Sequence, residues 1–144
     1  MKRSPELAAL SRDHHQALEA ALRLRRATDE TLEAAVEHFL AFFDRQGEQH
    51  FVTEERLVLP VLPDDDAEWA EATRQVRAEH REIRASAASL AEASSVRAAR
   101  GVGEMLAAHV RFEERTLFPL VEQRLSQGAL TELGRGLADA EADD

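Results

Sequence analysis

Residues 69–90 read WAEATRQVRAEHREIRASAASL, and this stretch decides the fold class. From Trp69 to Leu90, apolar or small side chains recur at alternating spacings of four and three, the period of an α-helix with one buried face. His80 falls on that same face. No glycine or proline interrupts the stretch, so the sequence predicts one long amphipathic helix with a histidine directed into the core.

Three further segments show the same period, and each also carries a histidine on its apolar face. These faces run through Leu7, Leu10, His14, Leu18 and Ala21; through Val36, Phe39, Phe43, Gln46, His50, Glu54 and Leu57; and through Val102, Leu106, His109, Glu113, Leu117 and Leu120. Long helices joined by short loops are antiparallel neighbours. The sequence therefore predicts an all-α protein, an up-down-up-down four-helix bundle with a short additional C-terminal helix.

Capping and helix-breaking residues set the expected helix bounds. We expect the four long helices at about 5–27, 29–59, 66–93 and 96–127, with a terminal helix at about 129–140. Pro60 and Pro63 break the second helix, and the run Asp64-Asp65-Asp66 supplies an N-cap and a negative first turn for the third. Pro119 kinks or ends the fourth helix, and Gly128 is a C-terminal stop. We expect a single domain over 1–144, with the bundle at about 5–127 and the terminal helix and acidic tail at 129–144.

Composition excludes several classes of function. The chain has 18 Lys and Arg against 28 Asp and Glu, a net charge of -10, so nucleic acids and anionic membranes are not expected partners. Cysteine is absent, which excludes disulfides and thiolate metal sites and is typical of the cytoplasm. Met1–Leu10 lacks the apolar stretch of a signal peptide, and no run approaches the ~20 apolar residues of a membrane span.

The polar residues on the apolar faces need a partner that balances their charge. Burying four imidazoles and two carboxylates in a small core costs several kcal/mol for each unpaired charge. Cations remove that cost, because a neutral imidazole donates a nitrogen and a carboxylate can bridge two ions through its two oxygens. His and Glu four residues apart lie one above the other on a helix and can reach the same metal ion.

An internal duplication supports a site with two ions. His50-Phe51-Val52-Thr53-Glu54-Glu55-Arg56 and Pro60 align with His109-Val110-Arg111-Phe112-Glu113-Glu114-Arg115 and Pro119. The preceding helix of each half contains an acid-His dipeptide, Asp13-His14 or Glu79-His80. We expect each half to supply two nitrogens and one bridging carboxylate.

This set of motifs resembles the hemerythrin-like (HHE cation-binding) family, over Leu7 to about Leu125. The resemblance implies a four-helix bundle with two non-haem iron ions and a bridging oxo or hydroxo group. It also implies the metal ligands, which are His14, His50, Glu54, His80, His109 and Glu113. Imidazole and carboxylate donors suit manganese or zinc as well, and only the resemblance selects iron. Ferritin-like bundles carry Glu-x-x-His instead, which is absent from these apolar faces.

The sequence departs from the oxygen-carrying hemerythrins, which have an unequal set of five histidines, one glutamate and one aspartate. Its two equal halves leave an exchangeable position on both irons, which casts doubt on reversible oxygen carriage. We expect a cytoplasmic protein that binds oxygen, nitric oxide or peroxide for binding, sensing or storage. The alternatives are an enzyme that removes peroxide or nitric oxide or oxidises ferrous iron, and an interaction module with a structural metal.

The sequence also predicts the contacts and exposure of several residues near the metal ligands. Glu55 and Glu114 are expected to pair with Arg56 and Arg115 on the surface, with a hydrogen bond from a ligating imidazole as the alternative. Gln46 is a candidate contact of the site, and His15 and His38 are expected to face solvent. The expected lining residues are Leu10, Leu18, Val76, Ile83, Leu106 and Phe112.

Overall fold

The computed structural model describes residues 2–142, and this part of the chain is helical without any strand, which confirms the all-α class. It forms five helical rods, α1 (residues 5–25), α2 (32–61), α3 (Ala67–Glu92), α4 (96–124) and α5 (Gln127–Ala142). Within the described residues, no helix combines the length and the apolar character needed to cross a membrane.

The rod α1 begins with the 3-10 turn Pro5–Leu7 and is otherwise α-helix. Two other rods, α2 and α4, contain wider π-helical turns in their interiors. These turns are Phe43–Gly47 and Glu54–Val58 in α2 and Glu113–Leu117 in α4. Such turns are rare and are frequent at functional sites. The hydrophobic pattern predicted uninterrupted α-helix at these positions.

The helix ends follow local capping. Of the three aspartates predicted to supply the cap of α3, the one that does so is Asp66, whose Oδ1 accepts the backbone N–H of Trp69 at 3.1 Å. The second rod begins at Leu32, later than expected, because the Thr31 hydroxyl accepts the backbone N–H of Thr28 at 2.9 Å and closes a turn first.

The predictions for the C-terminal part need correction. Pro119 does not end α4, which continues to Arg124 after the π-helical turn. Gly128 lies inside α5 instead of stopping a helix, because Ser126 accepts the backbone N–H of Ala129 at 3.2 Å and caps α5. Residues 139–142 of the predicted acidic tail are helical, and residues 143–144 lie outside the described part of the chain.

The packing leaves a polar layer between two apolar clusters. Both α1 and α3 pack against α2 and α4, while α5 packs against the 3-10 start of α1 and the second π-helical turn of α2. One apolar cluster contains Phe39 and Ile83, and the other contains Trp69 and Val76. His80 is buried between Val76 and Ile83 along α3, so it lies where the two clusters meet.

Candidate metal centre

The six residues that the sequence singles out lie together in this polar layer. His14 comes from α1, His50 and Glu54 from α2, His80 from α3, and His109 and Glu113 from α4. All six side chains are buried, and none is more than 8% exposed. We call these six residues the His/Glu cluster.

The cluster divides into two groups that share both carboxylates. The first is His14, His50, Glu54 and Glu113, and the second is Glu54, His80, His109 and Glu113; in each, the potential ligand atoms lie within 4.8 Å of one another. Each histidine pair comes from one half of the duplicated sequence. The division matches the expected pattern of two nitrogens and one shared carboxylate from each half.

Both glutamates present one oxygen to each histidine pair. Glu113 Oε1 lies 2.8 Å from His14 Nε2 and 3.8 Å from His50 Nε2. Its Oε2 lies 3.1 Å from His109 Nε2 and 3.6 Å from His80 Nε2. Glu54 follows the same scheme, with Oε2 at 3.2 Å from His50 Nε2 and Oε1 at 3.1 Å from His80 Nε2. Each of the two carboxylates therefore faces both histidine pairs.

His14 Nε2 and Glu113 Oε1 are hydrogen-bonded to each other at 2.8 Å, but the other six inward atoms of the cluster lack hydrogen-bond partners. They are Nε2 of His50, His80 and His109, both oxygens of Glu54, and Oε2 of Glu113. Buried polar atoms of native proteins are almost always satisfied, so six unsatisfied atoms facing one another call for a ligand. Donors about 2.1 Å from a common cation and at right angles to each other lie about 3 Å apart, close to several of the spacings seen here. The donor set therefore fits metal ions.

Every cluster histidine also contacts a carboxylate outside the cluster through its other ring nitrogen, Nδ1. We call these four residues the outer carboxylates. The Nδ1–H groups donate from His14 to Glu114 (2.6 Å), from His50 to Asp13 (3.0 Å), from His80 to Glu55 (2.8 Å) and from His109 to Glu79 (2.6 Å). Such bonds fix the tautomer with Nε2 free to bind a metal, and they raise the basicity of the ring.

The outer carboxylates correct one prediction and add two residues. Glu55 and Glu114 do not pair with Arg56 and Arg115, because the π-helical turn that begins at the preceding glutamate directs them to histidines of other rods. The sequence analysis assigned no role to Asp13 or Glu79. Their acid-His dipeptides were the available signal, since each acid contacts the histidine of the other rod in its half.

The four outer carboxylates fall into two classes by their own partners. Glu55 accepts two hydrogen bonds from Arg84, at 2.8 and 3.1 Å, and Glu114 lies 3.3 Å from Arg3. Asp13 and Glu79 are contacted by amides instead, from Gln46 at 3.5 Å and from Gln75 at 3.0 Å. The pseudo-twofold relation thus extends to the four outer carboxylates, while the side chains that contact them come from unmatched positions.

Aromatic rings pack against two of the histidines. Phe51 stacks on His80 with ring centroids 3.8 Å apart, and Phe118 stacks on His14 at 5.5 Å. The sequence pattern predicted no contact with the site for either ring. Leu18 was wrongly expected to line the site, since it is 40% exposed on the outer face of α1.

Charges inside the cluster shift its ionisation. Burial alone would lower the pKa of His109, but the charge of Glu113 and hydrogen bonds to Glu113 and Glu79 raise it to about 10. The pKa values of His14, His50 and His80 are raised as well. Burial would lower them, but the neighbouring carboxylates outweigh its effect. For Glu113, burial is outweighed by His109 and the other imidazoles, which hold its pKa well below the usual range. Protons and metal ions therefore compete for the same nitrogens.

A small cavity adjoins the cluster on one side. Its volume is about 20 Å³, and its walls include His14, His50 and His109 together with apolar residues such as Leu106 and Val110. A larger groove of about 520 Å³ lies outside it, between α1, α2 and the end of α5. His38, expected to face solvent, is half-buried in the wall of this groove, while His15 is exposed as expected.

Comparisons with known proteins agree with this geometry. The family model of the hemerythrin HHE cation-binding domain matches residues 7–121, a segment that includes the whole His/Glu cluster. No curated protein and no solved structure matches the chain. Because the family model covers most of the 144 residues, the chain belongs to the hemerythrin HHE cation-binding domain family.

Proposed function

We propose that this protein holds two non-haem iron ions in the His/Glu cluster and uses them to bind a neutral small molecule such as oxygen, nitric oxide or hydrogen peroxide. The observation that carries the proposal is the pair of shared carboxylates, each with one oxygen facing each histidine pair. Iron is chosen over manganese or zinc on the resemblance of the motifs. The proposal includes an up-down-up-down bundle of α1–α4 with α5 as the additional helix.

The charges near the cluster support two divalent cations. Six carboxylates belong to the cluster or accept from its imidazoles, and two guanidinium groups neutralise part of their charge. They are Asp13, Glu54, Glu55, Glu79, Glu113 and Glu114, with Arg3 and Arg84. Arg3 also pairs with Glu122 at 2.7 Å and Arg84 with Glu48 at 2.9 Å, so the guanidinium groups neutralise only part of this charge, and the excess of carboxylates around two buried glutamates favours two divalent ions over a single one.

The chain's own residues would hold and orient the ions. The four imidazoles would bind through Nε2, because each Nδ1–H is donated to an outer carboxylate. Glu54 and Glu113 would bridge. The bound ions would supply a change of valence and a position for an added ligand.

The small cavity supports a ligand of only two or a few atoms. Its volume of about 20 Å³ exceeds the about 10–15 Å³ that one water molecule needs, but leaves no space for an organic substrate. Ala17, Phe43 and Leu106 provide apolar walls beside the cluster, which keep bulk water away from the ligand position. A cavity next to the cluster also favours a ligand-binding role over a purely structural metal.

The test is loading with ferrous iron under anaerobic conditions, followed by elemental analysis and visible spectroscopy during cycles of oxygen addition and removal. We expect a charge-transfer band that appears with oxygen and disappears without it. His14→Ala should abolish the band, and the matched variant His15→Ala should keep it, because His15 is exposed beside a cluster ligand.

Other outcomes of this experiment point to other functions. Many turnovers of peroxide or nitric oxide per chain would identify an enzyme. A bound metal that neither changes valence nor takes up a ligand would identify a structural ion and contradict the proposal.

A further inference from the structure

One segment breaks the pseudo-twofold relation between the halves of the cluster. His50 and Glu54 correspond to His109 and Glu113 in the duplicated sequence. One turn before His50, α2 forms the π-helical turn Phe43–Gly47. The corresponding part of α4 is regular α-helix throughout Val96–Phe112. The helical segments that precede His50 and His109 therefore differ in backbone conformation.

The side chains at these matched positions also differ in size and polarity between the two halves. Gln46 and Gly47 correspond to Met105 and Leu106 when the two halves are aligned. Gly47 leaves its space to the neighbouring rings, since a Cβ there would lie 2.8 Å from Phe43 Cδ1. Leu106 is instead a buried leucine, 2% exposed. The first half thus has a small residue and a polar side chain where the second half is filled by apolar ones.

The small cavity and the outer groove share a wall at this place. Asp13, Phe42, Gln46 and His50 line both spaces. Apart from His14 and His109, the rest of the cavity wall is apolar, whereas the groove is open and lined by polar side chains such as Gln16 and Gln49. This shared wall therefore separates the groove from the cavity beside the His/Glu cluster.

Gln46 is the weakly held part of this wall. Its amide contacts Asp13 Oδ1 at 3.5 Å, at the limit of a hydrogen bond. Asp13 is held independently through Oδ2, which accepts from His50 at 3.0 Å. The Gln46 side chain can therefore swing aside without releasing the carboxylate that orients His50.

We propose that neutral diatomic and similarly small molecules reach the His/Glu cluster from the outer groove, and that Gln46 is the gate that sets their rate of passage. This inference rests on the proposed function for the identity of the ligand. The carboxylate of Asp13 in the same wall disfavours anions of equal size. Gln46 is a positioning residue for access and not a ligand of the ions.

A first experiment uses the metal-free chain. Dissolved oxygen is paramagnetic and speeds the nuclear relaxation of methyl groups that it can approach. We expect faster relaxation at the methyls of Leu106 and Val110, which line the cavity, than at the buried methyls of Val76 in the other apolar cluster. Gln46→Ala shortens a side chain in the cavity wall and so leaves more space for oxygen beside Leu106 and Val110, which should increase the effect at these two residues and leave Val76 unchanged.

A second experiment uses the iron-loaded chain and nitric oxide in a stopped-flow spectrometer. A gate changes the rates of entering and leaving equally, so Gln46→Ala should raise both on the order of tenfold with an unchanged Kd. Met105→Ala, the matched variant in the second half, should change neither rate. Equal rates in Gln46→Ala and the unmodified chain, or equal acceleration by Met105→Ala, would overturn the gate.

The two experiments separate failure of the gate from failure of the proposed function. If the iron-loaded chain takes up no nitric oxide, the proposed function fails, and the relaxation data on the metal-free chain alone decide the gate. If Leu106 and Val110 relax no faster than Val76 in both the unmodified chain and Gln46→Ala, the gate is wrong whatever the metal binds.

Discussion

Each cluster histidine faces two kinds of carboxylate, one on each ring nitrogen. The Nε2 atoms face Glu54 and Glu113 in the interior, and the Nδ1 atoms donate to the four outer acids. The sequence predicts the inner residues because a charged or polar side chain on an apolar helical face stands out. It does not predict which outer acid meets which histidine, since that depends on how neighbouring rods are rotated.

Glu79→Gln tests the role of an outer carboxylate. Glu79 accepts from His109 Nδ1 at 2.6 Å, and an amide in its place is a weaker acceptor that no longer makes the ring more basic. We expect metal affinity to fall about 10- to 100-fold, as measured by competition with a chelator. Glu82→Gln is the matched control, because Glu82 is exposed on the same helix. An unchanged affinity in Glu79→Gln would show that the contact has no influence on the metal.

Metal uptake should release protons at pH 7. Carboxylates raise the pKa of His109 to about 10, so the metal-free chain holds a proton that a cation must displace. A raised pKa also stabilises the folded metal-free chain fully below about pH 6.5, and this contribution is lost as the pH rises through about 10.

Calorimetric titration with metal in two buffers of different ionisation enthalpy measures this proton release. The heat should differ between the buffers, and unfolding of the metal-free chain should become easier between pH 7 and 10. Identical heats in the two buffers would contradict the linkage.

At the scale of the elements, the rods are adapted to the cluster by turns that the hydrophobic pattern does not reveal. The pattern of apolar faces predicted the long helices, and the run of three aspartates predicted a cap at the start of α3. It did not predict the π-helical turns that begin at Glu54 and at Glu113, because a wider turn changes only the local number of residues per turn. Their matched positions in both halves indicate that the cluster requires them.

The close packing of α1 against α4 leads to a testable prediction at the scale of the elements. A Cβ at Gly103 would lie 2.7 Å from the carbonyl oxygen of Ala21 and 2.8 Å from the backbone nitrogen of Arg25. Because these neighbours are backbone atoms, Gly103→Ala must push the two rods apart, and we expect a loss of about 1–3 kcal/mol of unfolding free energy.

Gly101→Ala is the matched control for Gly103→Ala. A Cβ at Gly101 meets nothing within 4 Å, so alanine should stabilise the helix by about 0.5–1 kcal/mol. Chemical denaturation of both variants measures the difference. A Gly103→Ala variant as stable as the unmodified chain would show that the rods approach less closely.

At the scale of the whole molecule, the proposed ions would tie four rods together at the level where two apolar clusters meet. Helices contribute ligands from both halves, so bound metal stabilises the native arrangement by mass action. The duplicated motifs made this overall plan predictable from the sequence. The Phe43–Gly47 turn and the one-sided cavity were not predictable, because they arise from the difference between two otherwise matched halves.

The most direct measurement of the central claim is the number of metal ions bound per chain, determined by elemental analysis after loading with ferrous iron and removal of excess. Two shared carboxylates and two histidine pairs predict two ions per chain, with cooperative loss of both in Glu113→Gln, since Glu113 faces both pairs. A saturated ratio of one ion per chain or fewer, or an unchanged ratio of two in Glu113→Gln, would contradict the account.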